Sequence, residues 1–352
     1  MSHAISTAVA PEGINASAVT GWFAAHLPAA RPPLAFCLIE AGHSNMTFVV
    51  TDASDRRWVL RRPPLHNVLA TAHDMRREHR AIAALHPEGF PVPRPVGLCS
   101  DPEVNGAPFY VMDHVDGLVV RDADAARSAL SVPSRRRLSR SLIDVLARLH
   151  SVDIDAVGLG DLGRREGYVA RQLRRWLRQV TETGIDDRPG LRDIHDHLVA
   201  RIPEQHTTGI VHGDFRLDNC IVGPEGEVRA VLDWELCTLG DVLADVAILL
   251  TYWSEPGEVA QALDNAPTAV EGFYTRAELL DAYAEASGRS PERIDFYLAW
   301  GAWRLACILL GVQARYLRGA MGDKTPLEGI DSFGGRIDGL VARAQHHAAR
   351  VP

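Results

Sequence analysis

Val211 to Glu235, VHGDFRLDNCIVGPEGEVRAVLDWE, is the stretch on which the reading of the chain turns. The apolar pieces in and beside it, Ile210-Val211, Cys220-Ile221-Val222 and Val228 to Leu232, are too short for helices and too apolar for free loops. They read as buried strands with polar residues at their ends. Gly223-Pro224-Glu225-Gly226 is a turn signal, so a hairpin is expected to bring Asp233 back beside Asp214 and Asn219. Two aspartates and an asparagine make a hard-oxygen site. Such a site suits magnesium, which keeps most of its waters and takes one or two carboxylates from the protein. A carboxylate left without metal can accept a proton from a hydroxyl. On these residues alone, an ordinary hairpin with acidic turn residues stays open as the alternative.

His212-Gly213-Asp214 with Asn219 spells HGDxxxxN, and Asp233-Trp234-Glu235 follows as D-[FWY]-[EDG]. In that order and spacing the string resembles the catalytic and metal-binding segments of the aminoglycoside phosphotransferase and choline kinase family, which shares its core with protein kinases. Together with Val59-Leu60-Arg61-Arg62-Pro63-Pro64 it looks most like the kinase-like domains joined to acyl-CoA dehydrogenases. The resemblance runs from about Leu34 to Tyr316. It implies an α+β, protein kinase-like fold in two lobes: an antiparallel sheet with a helix over residues 1–115, and a larger, mostly helical lobe over 116–352.

At 352 residues the chain is long enough for two such lobes. Its net charge of −8 argues against nucleic acid or an anionic membrane as partner, although Arg171 to Arg178 holds four arginines. No uninterrupted apolar run reaches the roughly 18 residues that span a bilayer. The start, MSHAISTAVAPEG, lacks a basic segment followed by an apolar one, so a cytoplasmic protein is expected. Five scattered cysteines fit a reduced compartment and show no zinc spacing. A single lysine, Lys324, stands against 36 arginines, which rules out a catalytic lysine near the N-terminus.

In the first lobe Ile14 to Leu27 reads as an amphipathic helix, and Leu34 to Glu40, Met46 to Thr51 and Arg57 to Arg62 as strands. Ala41-Gly42-His43-Ser44-Asn45, between the first two, is a small polar loop able to offer backbone N–H groups and a serine hydroxyl to phosphates. It lacks the GxGxxG of protein kinases. His73 to Leu85 reads as a helix whose apolar face carries Met75, Ile82, Leu85 and Glu78. A carboxylate on such a face needs a cationic partner, or it shifts its pKa and neutralises. Arg61 is the natural partner, at the position where the resemblance implies a phosphate-binding lysine, although Arg62 is adjacent. Pro108 to Val115 reads as the next strand, and the resemblance implies that backbone groups of Asp113 and Val115 read the adenine edge.

In the second lobe Leu138 to His150, two stretches within Gly167 to Ile202, Arg276 to Glu285, Pro291 to Arg318 and Ser332 to Arg350 read as helices. Gly319 to Asp331 is a Gly-rich loop that can border an acceptor pocket. Asp245 opens a buried helix and is expected to hydrogen-bond the catalytic loop from beneath. Arg216 has two open roles, neutralising the transferring phosphate or pairing with Asp218 or Glu235. The expected function is a small-molecule kinase using ATP, or GTP, with Mg2+. Asp214 takes the proton of the acceptor hydroxyl with Arg216 beside it, Asn219 and Asp233 hold the metal, and Ser44, Asn45, Arg61 and Glu78 position the phosphates. The expected acceptor is a hydroxyacyl-CoA or similar metabolite, with an aminoglycoside as the alternative. A kinase-shaped protein that binds nucleotide without catalysis is the reading from another class.

Overall fold

Alternation along a strand sends successive side chains to opposite faces, and this decides the layout of the N-terminal region. The computed structural model describes residues 10–39, 45–65, 74–184, 188–258, 265–317 and 328–352. Two compact units emerge: Met1–Asp116 with Arg229–Cys237, and Gly117–Val228 with Thr238–Pro352. The sequence reading placed 229–237 with the helical lobe; the structure counts it with the sheet.

The first unit runs α1 (Ala16–His26), β1 (Ala35–Leu38), β2 (Met46–Thr51), β3 (Arg57–Arg62), α2 (Met75–Leu85), β4 (Pro95–Cys99), α3 (Pro102–Asn105) and β5 (Phe109–Asp113). The strands form one antiparallel sheet in the order β1-β2-β3-β5-β4. Trp58 and Leu60 of β3 turn to one face, where Phe23 and Trp22 of α1, Phe48, Phe109 and Val111 complete a core. Arg62 follows the same parity. Its guanidinium donates to the carbonyl of Asn105 at 2.9 Å and to that of Gly13. Arg61 turns to the other face. Parity therefore separates the two arginines: Arg62 goes to the core face and Arg61 to the face of Glu78. Strand β4 and helix α3 were not anticipated. Three prolines at 91, 93 and 95 obscure the strand, and a four-residue helix is too short to show periodicity.

The segment 229–237 is tied to this unit by its backbone. The Val231 N–H donates to the Pro91 carbonyl at 2.8 Å. The Arg77 guanidinium donates twice to the Cys237 carbonyl, at 2.9 and 2.6 Å, and Trp234 meets Phe90 edge-on.

The second unit adds α4 (Ala123–Ala129), α5 (Val132–Leu149), α6 (Tyr168–Thr183), α7 (Leu191–Val199), β6 (Thr208–Val211) and β7 (Cys220–Val222). After β7 the Gly223 N–H donates to the Glu227 carbonyl at 2.9 Å, closing the expected turn, and the chain enters β8 (Val228–Val231). Then come β9 (Thr238–Asp241), α8 (Leu243–Tyr252), α9 (Arg276–Ser287), α10 (Ile294–Leu317) and α11 (Glu328–Ala348). Strand β9, read from sequence as the approach to a helix, pairs antiparallel with β6. Its Gly240 lies so close to Tyr168 that a Cβ there would sit 2.5 Å from the ring. The expected loop at 319–331 gives way at Glu328 to α11, and residues 319–327 lie outside the described residues.

Helix α10 is the axis of this unit. It is long and apolar enough to cross a membrane, yet 83% of its apolar window is buried inside the protein, so it is a core helix. Trp300 and Trp303 have no exposed surface, and the Trp303 indole N–H donates to the Leu191 carbonyl at 2.9 Å. Trp303→Ala should cost about 3–5 kcal/mol of stability, while Val199→Ala on exposed α7 surface should stay within about 0.5 kcal/mol. Urea unfolding of both variants checks this. Equal midpoints would show that α10 does not carry the core.

Candidate active site

Two groups of polar residues, one in each unit, hold most of the expected site residues. In the first unit Glu78 sits on α2 with no exposed surface. The N-terminus of that helix is capped by Asp74, whose carboxylate accepts the N–H groups of Arg76 and Arg77. From β3, the Arg61 guanidinium reaches Glu78, Nε to Oε2 3.2 Å, and also bonds the Asp233 carboxylate. The Tyr110 hydroxyl of β5 donates to Glu78 Oε2 at 3.0 Å, and the Asn45 amide donates to Glu78 Oε1 at 2.8 Å and to Glu235 at 3.2 Å. Burial pushes the Glu78 carboxyl up to about 7, against the pull of Arg61 in the other direction. Arg61 is held firmly charged, because its own desolvation is outweighed by Glu78 and Asp233. Asp233 adopts a left-handed backbone, φ 64°, the strained geometry often found at functional positions.

The second unit holds Asp214, Arg216 and Asn219 together. The Asn219 amide nitrogen donates to the Asp214 backbone carbonyl at 2.9 Å and to its Oδ2 at 3.0 Å. Arg216 Nε lies 3.3 Å from the same Oδ2, while its Nη1 pairs with Asp218 at 2.9 Å and its guanidinium lies over the Tyr252 ring. Of the two roles left open for Arg216, the pairing with Asp218 is the one seen. These bonds fix Oδ2 of Asp214.

Beneath the loop, Asp245 of α8 accepts the N–H of His212 at 2.6 Å and that of Gly213 at 2.9 Å, as its position ahead of a buried helix implied. His212 Nδ1 accepts the Asp214 N–H at 3.2 Å, so this histidine orients the loop. Buried His150 bonds the Tyr283 hydroxyl at 2.8 Å and lies 3.5 Å from Asp245; burial lowers its pKa and keeps it neutral.

Of the remaining expected positions, Ser44 lies outside the described residues. The Asp113 N–H donates to the Arg94 carbonyl at 2.9 Å, and its carboxylate takes a two-pronged bond from the Arg94 guanidinium. Its N–H is therefore committed to the sheet. Val115 stands half-buried two residues past β5. Sequence reasoning passed over two further residues. One is Tyr110, hidden in an apolar strand. The other is Arg304, whose guanidinium donates to the Gly213 carbonyl at 2.7 Å and lies over Trp176. A lone arginine in the apolar run of α10 was the signal for it.

Asp245→Asn replaces one of two acceptor oxygens with a donor and leaves a buried N–H unmet. Stability should fall by about 1.5–3 kcal/mol, and the amides of His212 and Gly213 should exchange with solvent faster. Unchanged exchange at both amides would remove Asp245 from its supporting role.

Residues 35–297 match the phosphotransferase enzyme family. Acyl-CoA dehydrogenase family member 10 of Mus musculus is 36% identical over 297 residues, which are 83% of this chain and 28% of the mouse protein. The chain thus spans well under half the length of that relative. Among solved structures, a candidate aminoglycoside phosphotransferase from Ralstonia eutropha JMP134 is 30% identical with a TM-score of 0.80, covering 96% of this chain and 98% of that one. Choline kinase from Cryptosporidium parvum Iowa II, at 12% identity, covers 95% of each chain with a TM-score of 0.63 and shares the fold. With its antiparallel sheet unit, its helical unit and the HGDxxxxN loop, this chain belongs to the phosphotransferase enzyme family.

Proposed function

We propose that the protein transfers the γ-phosphoryl group of ATP to a hydroxyl of a small anionic metabolite, with a hydroxyacyl-CoA as first candidate. The hydroxyl oxygen forms the new O–P bond, the bond between the γ-phosphorus and its bridging oxygen breaks, and ADP leaves. Asp214 receives the hydroxyl proton. Its Oδ2 is already engaged by Asn219 and Arg216, which orients the carboxylate before substrate arrives. Arg61 and Glu78 position the phosphates.

Asn219 in the helical unit and Asp233 in the sheet unit would each offer oxygen to Mg2+, which supplies neutralisation of phosphate charge. The donor chemistry fits: the amide nitrogen of Asn219 is committed to Asp214, leaving its carbonyl oxygen, and Asp233 adds carboxylate oxygen.

The observation that supports an anionic acceptor is a groove of about 560 Å³ at the start of α6. Arg164, Arg165, Arg171 and Arg174 line it, with Glu166 as its one acid. Arg165 pairs with Asp155, but Arg164, Arg171 and Arg174 have no carboxylate partner among the described residues. Burial lowers the pKa of Arg171, and the like charges of Arg164 and Arg174 lower it further. Such a groove repels a polycationic aminoglycoside and attracts the phosphates of a CoA thioester. The name of the mouse relative, an acyl-CoA dehydrogenase family member, agrees with a thioester.

The test follows ADP release from ATP with hydroxyacyl-CoA thioesters, the matching free hydroxy acids and aminoglycosides, with Asp214→Ala as the blank. Turnover should be fastest with a thioester. Arg171→Ala should raise KM for it roughly tenfold, the worth of one charge-assisted contact, and leave KM for ATP alone. Faster turnover of aminoglycosides, or full activity in the Asp214 variant, would overturn this reading.

A further inference from the structure

In the first unit, Glu78, Asp233 and Glu235 each place a carboxylate oxygen within 4.8 Å of the others. Arg61 meets two of these carboxylates, with Nε 3.2 Å from Glu78 and Nη2 on Asp233. The Arg61 side chain is 10% exposed and that of Glu78 not at all, so water and salt screen the pair little. Asn45 completes the cluster. Its amide nitrogen donates to Glu78 and Glu235, while its Oδ1 is buried with no hydrogen-bond partner.

Arg61 holds one oxygen of Asp233, so a divalent ion at the other oxygen would face a fixed positive charge beside it. Phosphates are the natural competitor for the guanidinium, since its planar fork matches them as well as it matches a carboxylate. We propose that Arg61 is a resident cation that occupies Asp233 until nucleotide phosphates draw it away, so that a free divalent ion is refused and the metal enters with or after the nucleotide. The interlock is a property of arginine. A lysine ammonium is a compact charge without the fork that lets Arg61 present separate nitrogens to Glu78 and Asp233.

The inference rests on Asp233 as a metal ligand, and the experiment separates the two. Free Mn2+ is measured by electron paramagnetic resonance over the full chain, without nucleotide and with ADP, for the protein as it is and for Arg61→Lys, Arg61→Gln and Asp233→Asn. Circular dichroism and thermal unfolding confirm that each variant folds. Without nucleotide, both Arg61 variants should bind Mn2+ at least tenfold more tightly than the unaltered protein, and Mg2+ alone should raise Tm in the variants only. Equal Mn2+ affinity of the unaltered protein and the Arg61 variants without nucleotide overturns the interlock. Asp233→Asn binding Mn2+ with ADP as tightly as the unaltered protein would instead remove Asp233 as a ligand, a distinct result.

Discussion

A carboxylate with no contact with water has to have its charge met, and Glu78 sets this requirement for the sheet unit. Arg61, Tyr110 and Asn45 all converge on it, from β3, from β5 and from the start of β2. Each of these elements is fixed for its own reason. β3 is paired on both sides, β5 is the next strand of the sheet, and α2 is capped by Asp74. The ion pair therefore registers a helix against three strands. Net stabilisation from a buried pair is small, because desolvation offsets most of the attraction. What it contributes is position: few other arrangements of these elements would satisfy the same charges.

The helical unit uses the opposite device. Its HGDxxxxN loop is held by an acceptor under two backbone N–H groups, Asp245, and by a donor on a backbone carbonyl, Arg304 on Gly213. Neither residue is in the loop. Both stand on helices whose remaining surface is almost wholly apolar, so the loop inherits the rigidity of the core beneath it. This suits a reaction in which most of the catalysis is positioning. Asp214 has one oxygen tied down by Asn219 and Arg216, in a loop held by groups on two core helices.

Much of this was legible in the sequence, and the parts that were not share a cause. Strands β2 and β3 and helix α2 announce themselves by period and by breaks at Gly, Pro and Asp, and β3 was legible to the residue. Glu78 and Asp245 were legible because an acid on an apolar face demands explanation. The short pieces were missed: β4, split among prolines, α3 at four residues, and β9, where Gly240 accommodates the Tyr168 ring. Their existence depends on a partner distant in the chain, which local pattern does not encode. The same holds for Tyr110 and for Asn45, whose bonds to Glu78 and Glu235 span 33 and 190 positions of sequence.

The arginine at position 61 shows how one substitution type propagates. In a chain with a single lysine, a composition bias supplies arginine where the resemblance implies an ammonium. An ammonium is a compact point charge with three donors and no planar fork. The guanidinium carries its charge over three nitrogens, and here it joins Glu78 to Asp233. That link ties the segment 229–237 to β3 and α2 through side chains, in addition to the backbone bond from Val231 to Pro91. A residue identity that looks like drift in base composition thus changes which carboxylates one cation joins.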